Sequence, residues 1–158
     1  MFSVRARAKS RSKLVRVGRS AVHGKGVFAT VPIRRGARII EYTGRRIPWT
    51  VAQELPPHDP RHPYHTFFFS IENGMVIDAG VGGNESRWIN HSCEPNCEPR
   101  EQHGRIYIHA LCKIEQGEEL FYDYNLEPAD RRTKALEKLF GCNCGASTCR
   151  GTMLEPLT

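Results

Sequence analysis

Three cysteines within a few residues of one another near the C-terminus, Cys142, Cys144 and Cys149, constrain this chain more than any other feature. A gap of one residue strains a disulfide between Cys142 and Cys144. The same gap lets two thiolates grip one ion, and Cys149 offers a third. Structural zinc takes four ligands in a tetrahedron, so a fourth must come from elsewhere. The candidates are Cys93 and Cys97, far upstream. The C-terminal segment is therefore expected to fold back onto the middle of the chain. Cys112 falls in a strand-like pattern and reads as a small buried hydrophobe.

The middle segment is Arg87-Trp88-Ile89-Asn90-His91-Ser92-Cys93-Glu94-Pro95-Asn96-Cys97. It reads as a turn-rich stretch that presents polar Asn and His next to thiols, which suggests a cofactor pocket beside a metal site. Taken alone, His91 is an ordinary turn histidine.

The chain has 158 residues, enough for one domain with a real core. Hydrophobic residues make up 39% and charged residues 25%, the balance of a soluble globular protein. No apolar run approaches the roughly 18 residues a membrane span needs, and no charged-then-apolar leader opens the sequence. The expectation is a cytoplasmic or nuclear, chromosome-associated setting in which thiols stay reduced, with no membrane partner. The net charge of +6 is unevenly placed. Arg5, Arg7, Lys9, Arg11, Lys13, Arg16 and Arg19 precede any acid, and the remainder is nearly neutral. Residues 1–13 read as a basic tail: either a contact to nucleic acid or to an acidic assembly such as chromatin, or a solvated arm. An Arg/Ser-rich start also fits a transit peptide. Basic residues at every second position, however, do not build an amphipathic helix.

Past the tail, short β-type runs alternate with Gly and Pro. Strands are expected at residues 26–30, 38–42, 66–71, 75–78, 105–111 and 119–122. Asn73-Gly74 makes a hairpin of the third and fourth. Five prolines within residues 48–63 make that stretch a loop or a small broken insert. The apolar spacing of Leu136, Leu139 and Phe140 predicts one helix from Pro128 to about Phe140, stopped by Gly141. The glycines at 24 and 26 lack the spacing of a dinucleotide loop, which argues against a Rossmann fold.

Several motifs in order resemble the SET-domain protein lysine methyltransferases. They are His23-Gly24-Lys25-Gly26-Val27-Phe28, Glu41-Tyr42-Thr43-Gly44, Val76-Ile77-Asp78-Ala79, the Asn90-His91-Ser92-Cys93 core with its approach from Gly83, Gly117-Glu118-Glu119-Leu120-Phe121-Tyr122-Asp123-Tyr124, and the Cys142, Cys144, Cys149 cluster. The resemblance covers about residues 14–153. It implies a mostly β fold, β-clip-like, with small curved sheets, one C-terminal helix and a post-SET zinc site. It also implies a pseudoknot, in which the Asn90–His91 segment passes under a loop near Tyr124. The implied domains are a tail at 1–13, a SET domain at 14–127 and a C-terminal helix with a post-SET zinc segment at 128–158. Zinc would be held by Cys93, Cys142, Cys144 and Cys149, leaving Cys97 spare.

By the same resemblance the cofactor is S-adenosylmethionine, bound by His23, Gly24, Lys25, Gly26, Phe67, Asn90, His91 and Asn143. The small glycines permit close backbone approach, the Asn90 amide oxygen would take the cofactor's amino group, and Asn143 would close the adenine side. The reaction is methyl transfer to a lysine of a protein or peptide, a histone being one possible substrate. Tyr124 is expected as the central hydroxyl, Tyr42 as a wall of the lysine channel, and Tyr122 as the group favouring mono-methylation, with some di-methylation. Without the motif, all three tyrosines read as half-buried strand aromatics. Arg45 departs from the acid common after E-Y-x-G, Trp88 replaces the commoner Phe, and no cysteine-rich segment precedes the domain. Three rival readings share parts of this pattern: a non-catalytic SET-like binding module, a small zinc-containing nucleic-acid-binding protein, and a methyltransferase acting on a non-histone protein or a small amine.

Overall fold

A computed structural model of the chain describes residues 14–57, 60–61, 66–128 and 131–157; the basic tail at 1–13 lies outside them. The elements run β1 (Val15–Arg19), β2 (Lys25–Ala29), β3 (Arg38–Tyr42), β4 (Arg45–Pro48), α1 (Trp49–Ala52), β5 (Phe68–Ser70), β6 (Met75–Asp78), a 3-10 turn (Glu85–Trp88), β7 (Asn90–His91), β8 (Cys97–Gln102), β9 (Arg105–Ala110), β10 (Phe121–Tyr122) and α2 (Lys134–Leu139). The strands form four small sheets, ordered β1-β2, β3-β9-β8, β4-β6-β5 and β10-β7. This is the mostly β architecture expected, with little helix.

Alternation sets the register. In β9, Ile106, Ile108 and Ala110 point inward and are at most 2% exposed, while the intervening Tyr107 and His109 are half-buried. β3 pairs antiparallel with β9 and adds Ile39 and Ile40 to the same core. Val15, Val27, Ala29, Ile33, Ile89, Cys97, Ile114, Leu120 and Tyr122 complete it, while Ile106 packs with Tyr42, Ile77 and Ala79 in a smaller cluster. The expected hairpin is present: β5 and β6 pair antiparallel. Asn73 and Gly74 take φ of 61° and 68°, the two positive values a two-residue turn of this hand needs.

Four strands escaped the sequence reading. β1 pairs with β2 from Val15↔Ala29 to Arg19↔Lys25. Its Val15 and Val17 alternate with Arg16, a pattern hidden by the basic run. β8 is Cys97-Glu98-Pro99-Arg100-Glu101-Gln102 and buries only Cys97, so it lacks an apolar signature. β4 ends at Pro48, where a missing N–H costs nothing to a ladder and where α1 begins. β7 lies in the segment read as turns. Its two residues pair in parallel with β10, Phe121↔Asn90 and Tyr122↔His91.

The expected C-terminal helix is shorter than read. Thr133 adopts an extended backbone, and its hydroxyl accepts from the Leu136 N–H, so α2 starts at Lys134. Residues 129–130 of the predicted span lie outside the described residues. None of the α2 residues is fully buried, and Leu139 is 47% exposed, so its apolar face is not core. Bridges Leu126↔Leu154 and Gly141↔Thr152 lay the C-terminal segment back along the strand-rich part. Among the described residues, no helix is long and apolar enough to cross a membrane.

Ile108 is 0% exposed at the centre of the larger core. Ile108→Ala should lower unfolding stability by about 2–5 kcal/mol, read from the urea midpoint at unchanged slope.

Candidate active site and cysteine cluster

The site is assembled where β7 and β10 run side by side. The 3-10 turn that leads into β7 is capped by Asn84, whose side-chain oxygen accepts from the Ser86 N–H. The Asn84 amide also donates to the Glu41 carbonyl in β3 at 2.8 Å. This fixes the entry to Ile89, Asn90 and His91, all of them buried.

Asn90 reaches back to the glycine turn before β2. Its Nδ2 donates to the His23 carbonyl at 3.0 Å and the Lys25 carbonyl at 2.9 Å. It also lies 3.1 Å from Oε1 of Glu119. The turn is braced from within: the Ser20 hydroxyl accepts from the N–H groups of Val22 and His23. Gly24 sits at φ 45°. At Gly26 a Cβ would collide with Glu119 Oε1, so glycine lets that carboxylate approach. The consecutive residues His23, Gly24, Lys25 and Gly26 thus meet Asn90, whose partners His23 and Lys25 are 67 and 65 residues away in sequence.

His91 faces the other way. Its Nδ1 accepts the Tyr124 N–H at 3.0 Å. The ring proton therefore belongs on Nε2, which lies 3.4 Å from Cys93 Sγ. Burial pushes the imidazole pKa down to about 4, against the opposing pull of Asp123, so the ring is neutral near pH 7. Asp123 is held below the usual carboxylate range. Burial raises it, but two hydrogen bonds from Arg150, at 2.7 and 3.0 Å, outweigh that. Arg150 also donates to the Leu154 carbonyl, which anchors the C-terminal segment beside Tyr124.

The three expected tyrosines converge. The Tyr122 and Tyr124 ring centroids are 5.0 Å apart, Tyr122 and Phe69 6.3 Å, and Phe69 and Tyr42 5.2 Å. The Tyr124 hydroxyl donates to the Ile89 carbonyl at 2.6 Å, and the Tyr42 hydroxyl to the Phe67 carbonyl at 2.9 Å. Burial is the chief cause that pushes all three phenols above their ordinary value, and their mutual proximity adds to it for Tyr42 and Tyr122. They remain protonated across the physiological range. Phe67 packs edge-on against Trp88 at 5.1 Å. The Trp88 ring in turn carries the Lys25 ammonium at 4.7 Å and the Arg87 guanidinium at 5.0 Å. Arg45, the departure noted in the sequence, pairs at 3.0 Å with the buried carboxylate of Asp78.

Cys93, Cys142, Cys144 and Cys149 bring their sulfurs within 4.8 Å of one another. Zinc–sulfur bonds of about 2.3 Å in a tetrahedron place sulfurs about 3.8 Å apart, and the Cys93–Cys142 separation is 3.9 Å. The Arg150 N–H points at Cys93 Sγ and the Gly151 N–H at Cys149 Sγ, each at 3.4 Å, while burial raises the Cys93 and Cys142 thiols. Burial opposes ionisation of Cys144, yet N–H groups of Cys93 and Ala146 and the neighbouring thiols bring it down to about 6. The donor set and spacing fit a closed zinc site. The choice left open between Cys93 and Cys97 falls to Cys93. Cys97 is 0% exposed in β8, opposite Ala110, and burial pushes its thiol up to about 12. Cys112 is exposed in the turn after β9 rather than buried as expected. Asn143 stands exposed between its cysteine neighbours.

Residues 24–125 match the SET domain. The chain therefore belongs to the SET-domain family. Relatives include the histone-lysine N-methyltransferase trithorax of Drosophila virilis, 38% identical over 86% of this chain and 4% of that protein. Histone-lysine N-methyltransferase 2B of Homo sapiens is 38% identical over 90% of this chain and 5% of its own length. The histone-lysine N-methyltransferase, H3 lysine-4 specific, of Candida albicans is 39% identical over 89% and 14% respectively. The chain thus spans only a small part of these relatives. Among solved structures, the ctPRC2 complex in an autoinhibited conformation bound to S-adenosylmethionine overlays with a TM-score of 0.63. It shares 34% identity, covering 72% of this chain and 15% of that one.

Two outcomes are expected from this geometry. Cys93→Ser should weaken zinc binding at least about tenfold while Cys97→Ala leaves it unchanged, measured by competition with a chromogenic chelator. A double-mutant cycle of Arg150→Ala and Asp123→Asn should return a coupling of about 0.5–3 kcal/mol in unfolding stability.

Proposed function

We propose that this chain is a protein-lysine N-methyltransferase domain that moves a methyl group from S-adenosylmethionine to a lysine side chain, histones being the favoured substrate class. The observation that carries this is the convergence of Tyr42, Tyr122 and Tyr124 beside Asn90 and the His23–Gly26 turn. The family membership, the names of the relatives and the cofactor named for the solved neighbour support it.

When bound, S-adenosylmethionine supplies a methyl group activated on a sulfonium. The His23–Gly26 turn, Asn90 and His91 would hold it, with Phe67 and Asn143 at its edges. Asn90 offers Oδ1 to an amino group, because its Nδ2 is spent on the turn. The four-cysteine cluster would take zinc, which pins the segment after α2 over the Tyr124 end of the site. We assign residues 14–127 to the SET domain and 128–158 to the C-terminal helix and post-SET segment. Any nucleic-acid contact is assigned to the basic tail at 1–13.

A lysine amine has an ordinary pKa of about 10.4 and must arrive neutral to attack. The three tyrosines cannot remove its proton, since burial keeps them protonated. The proton leaves to solvent, and the chain contributes alignment: a narrow aromatic channel holds nitrogen, methyl and sulfur in line. With the Tyr124 hydroxyl bonded to the Ile89 carbonyl, both oxygens are fixed near the transfer axis, where they can take weak C–H contacts. The Tyr122 hydroxyl occupies room that further methyls need, so mono-methylation is favoured.

Labelled S-adenosylmethionine with a panel of histones, ribosomal proteins and the chain itself tests this reading. Label should appear on a lysine of one substrate and fall by roughly 10²-fold or more in Tyr124→Phe. Absence of label on every protein, with no cofactor bound, would overturn it. On the accepted substrate Tyr122→Phe should shift the product from mono- towards di- and tri-methyl lysine by mass spectrometry. An unchanged product would remove the role given to Tyr122.

A further inference from the structure

The Glu119 carboxylate lies against Ser20, Gly26 and Asn90, on either side of the glycine turn. Its Oε2 accepts from the Ser20 hydroxyl at 3.0 Å, and its Oε1 lies 3.1 Å from Asn90 Nδ2. It occupies the space that a side chain at Gly26 would fill. The residue is partly buried. Its backbone is held in turn: the Asn96 amide donates to the Glu119 carbonyl at 2.9 Å, while Asn96 Oδ1 accepts the Phe121 N–H at 2.8 Å.

The Asn90 amide nitrogen carries two hydrogens but faces three acceptors, the carbonyls of His23 and Lys25 and the carboxylate of Glu119. The opposite flip would set Oδ1 against three oxygens. The acceptor surplus therefore fixes which end of the amide is presented. Two of the three acceptors are neutral carbonyls. Only Glu119 brings a charge, and it brings it to the Nδ2 end of the amide, so the charge-assisted bond turns Oδ1 the other way, toward an ammonium.

We propose that Glu119 is the positioning residue for the α-ammonium of the cofactor, holding the Asn90 amide oxygen-outward through a charge-assisted bond to Nδ2 and bracing the turn through Ser20. This rests on the assignment of the Asn90 pocket to S-adenosylmethionine. It separates two functions in the Gly-Glu-Glu-Leu run: Leu120 is fully buried in the core, and the residue before it serves the cofactor.

The test is calorimetric binding of S-adenosylhomocysteine and of its counterpart lacking the α-amino group, to the wild-type chain and to Glu119→Gln. Glutamine keeps the size of the side chain against Gly26 and removes the charge. Wild type should bind the amino-bearing compound about tenfold more tightly than the deaminated one. In Glu119→Gln that preference should fall to about twofold or less, through weaker binding of the amino-bearing compound. KM for S-adenosylmethionine should rise in parallel, with KM for the protein substrate unchanged. Ser20→Ala, which frees one carboxylate oxygen, should give an intermediate preference and decides the matter if Glu119→Gln does not fold. An undiminished preference in the folded variants would overturn the role of Glu119 and leave the pocket assignment standing. Equal binding of the two compounds by wild type would overturn the pocket assignment itself.

Discussion

The imidazole of His91 links the aromatic site to the cysteine cluster. One ring nitrogen accepts the Tyr124 N–H, so the proton must sit on the other, which faces the sulfur of Cys93. That arrangement exists only while the ring is neutral, and burial keeps it so by pushing the pKa down to about 4. The aromatic site and the cysteine cluster are thus held in one frame by a single side chain. Arg150 reinforces it, pairing through its side chain with Asp123 and through its N–H with Cys93. Neighbouring groups that fix a metal ligand commonly govern affinity and activity together.

On the other flank the logic is packing. Tyr42, Phe69, Tyr122 and Tyr124 form a run of rings, and two of the hydroxyls are fixed by backbone carbonyls. Such a site offers orientation and a dry wall instead of a proton acceptor. That suits a reaction in which the transferred group is already activated and the nucleophile needs only to arrive neutral and in line. The cations Lys25 and Arg87 over Trp88 stiffen the region where the glycine turn meets the 3-10 turn.

Strands with plain alternation or a turn signal, such as β3, β9 and the β5–β6 hairpin, were legible from residue order. β8 was not, because it buries only Cys97 behind charged neighbours, and β7 is too short to carry a period. The predicted helix began too early because apolar spacing does not reveal that Thr133 caps the chain five residues after Pro128. The motifs named the tyrosines, Asn90, His91 and the glycine turn, and the structure brings these together. Spacing left Cys93 and Cys97 equivalent; the strand that buries Cys97 separates them. Glu119 and Asp123 stood inside a recognised motif without a role, and Arg150 stood outside any, since each works through a partner 27 or more residues away. A charge run gives no hint of such pairing.

If one frame holds cofactor pocket and metal site, titration of the zinc-loaded chain with S-adenosylhomocysteine, repeated after the metal is stripped and again after it is restored, reads the coupling directly. One molecule per chain should bind, at least about tenfold more weakly without zinc, with full recovery on its return. Binding that ignores the metal, or no binding in any state, would contradict it.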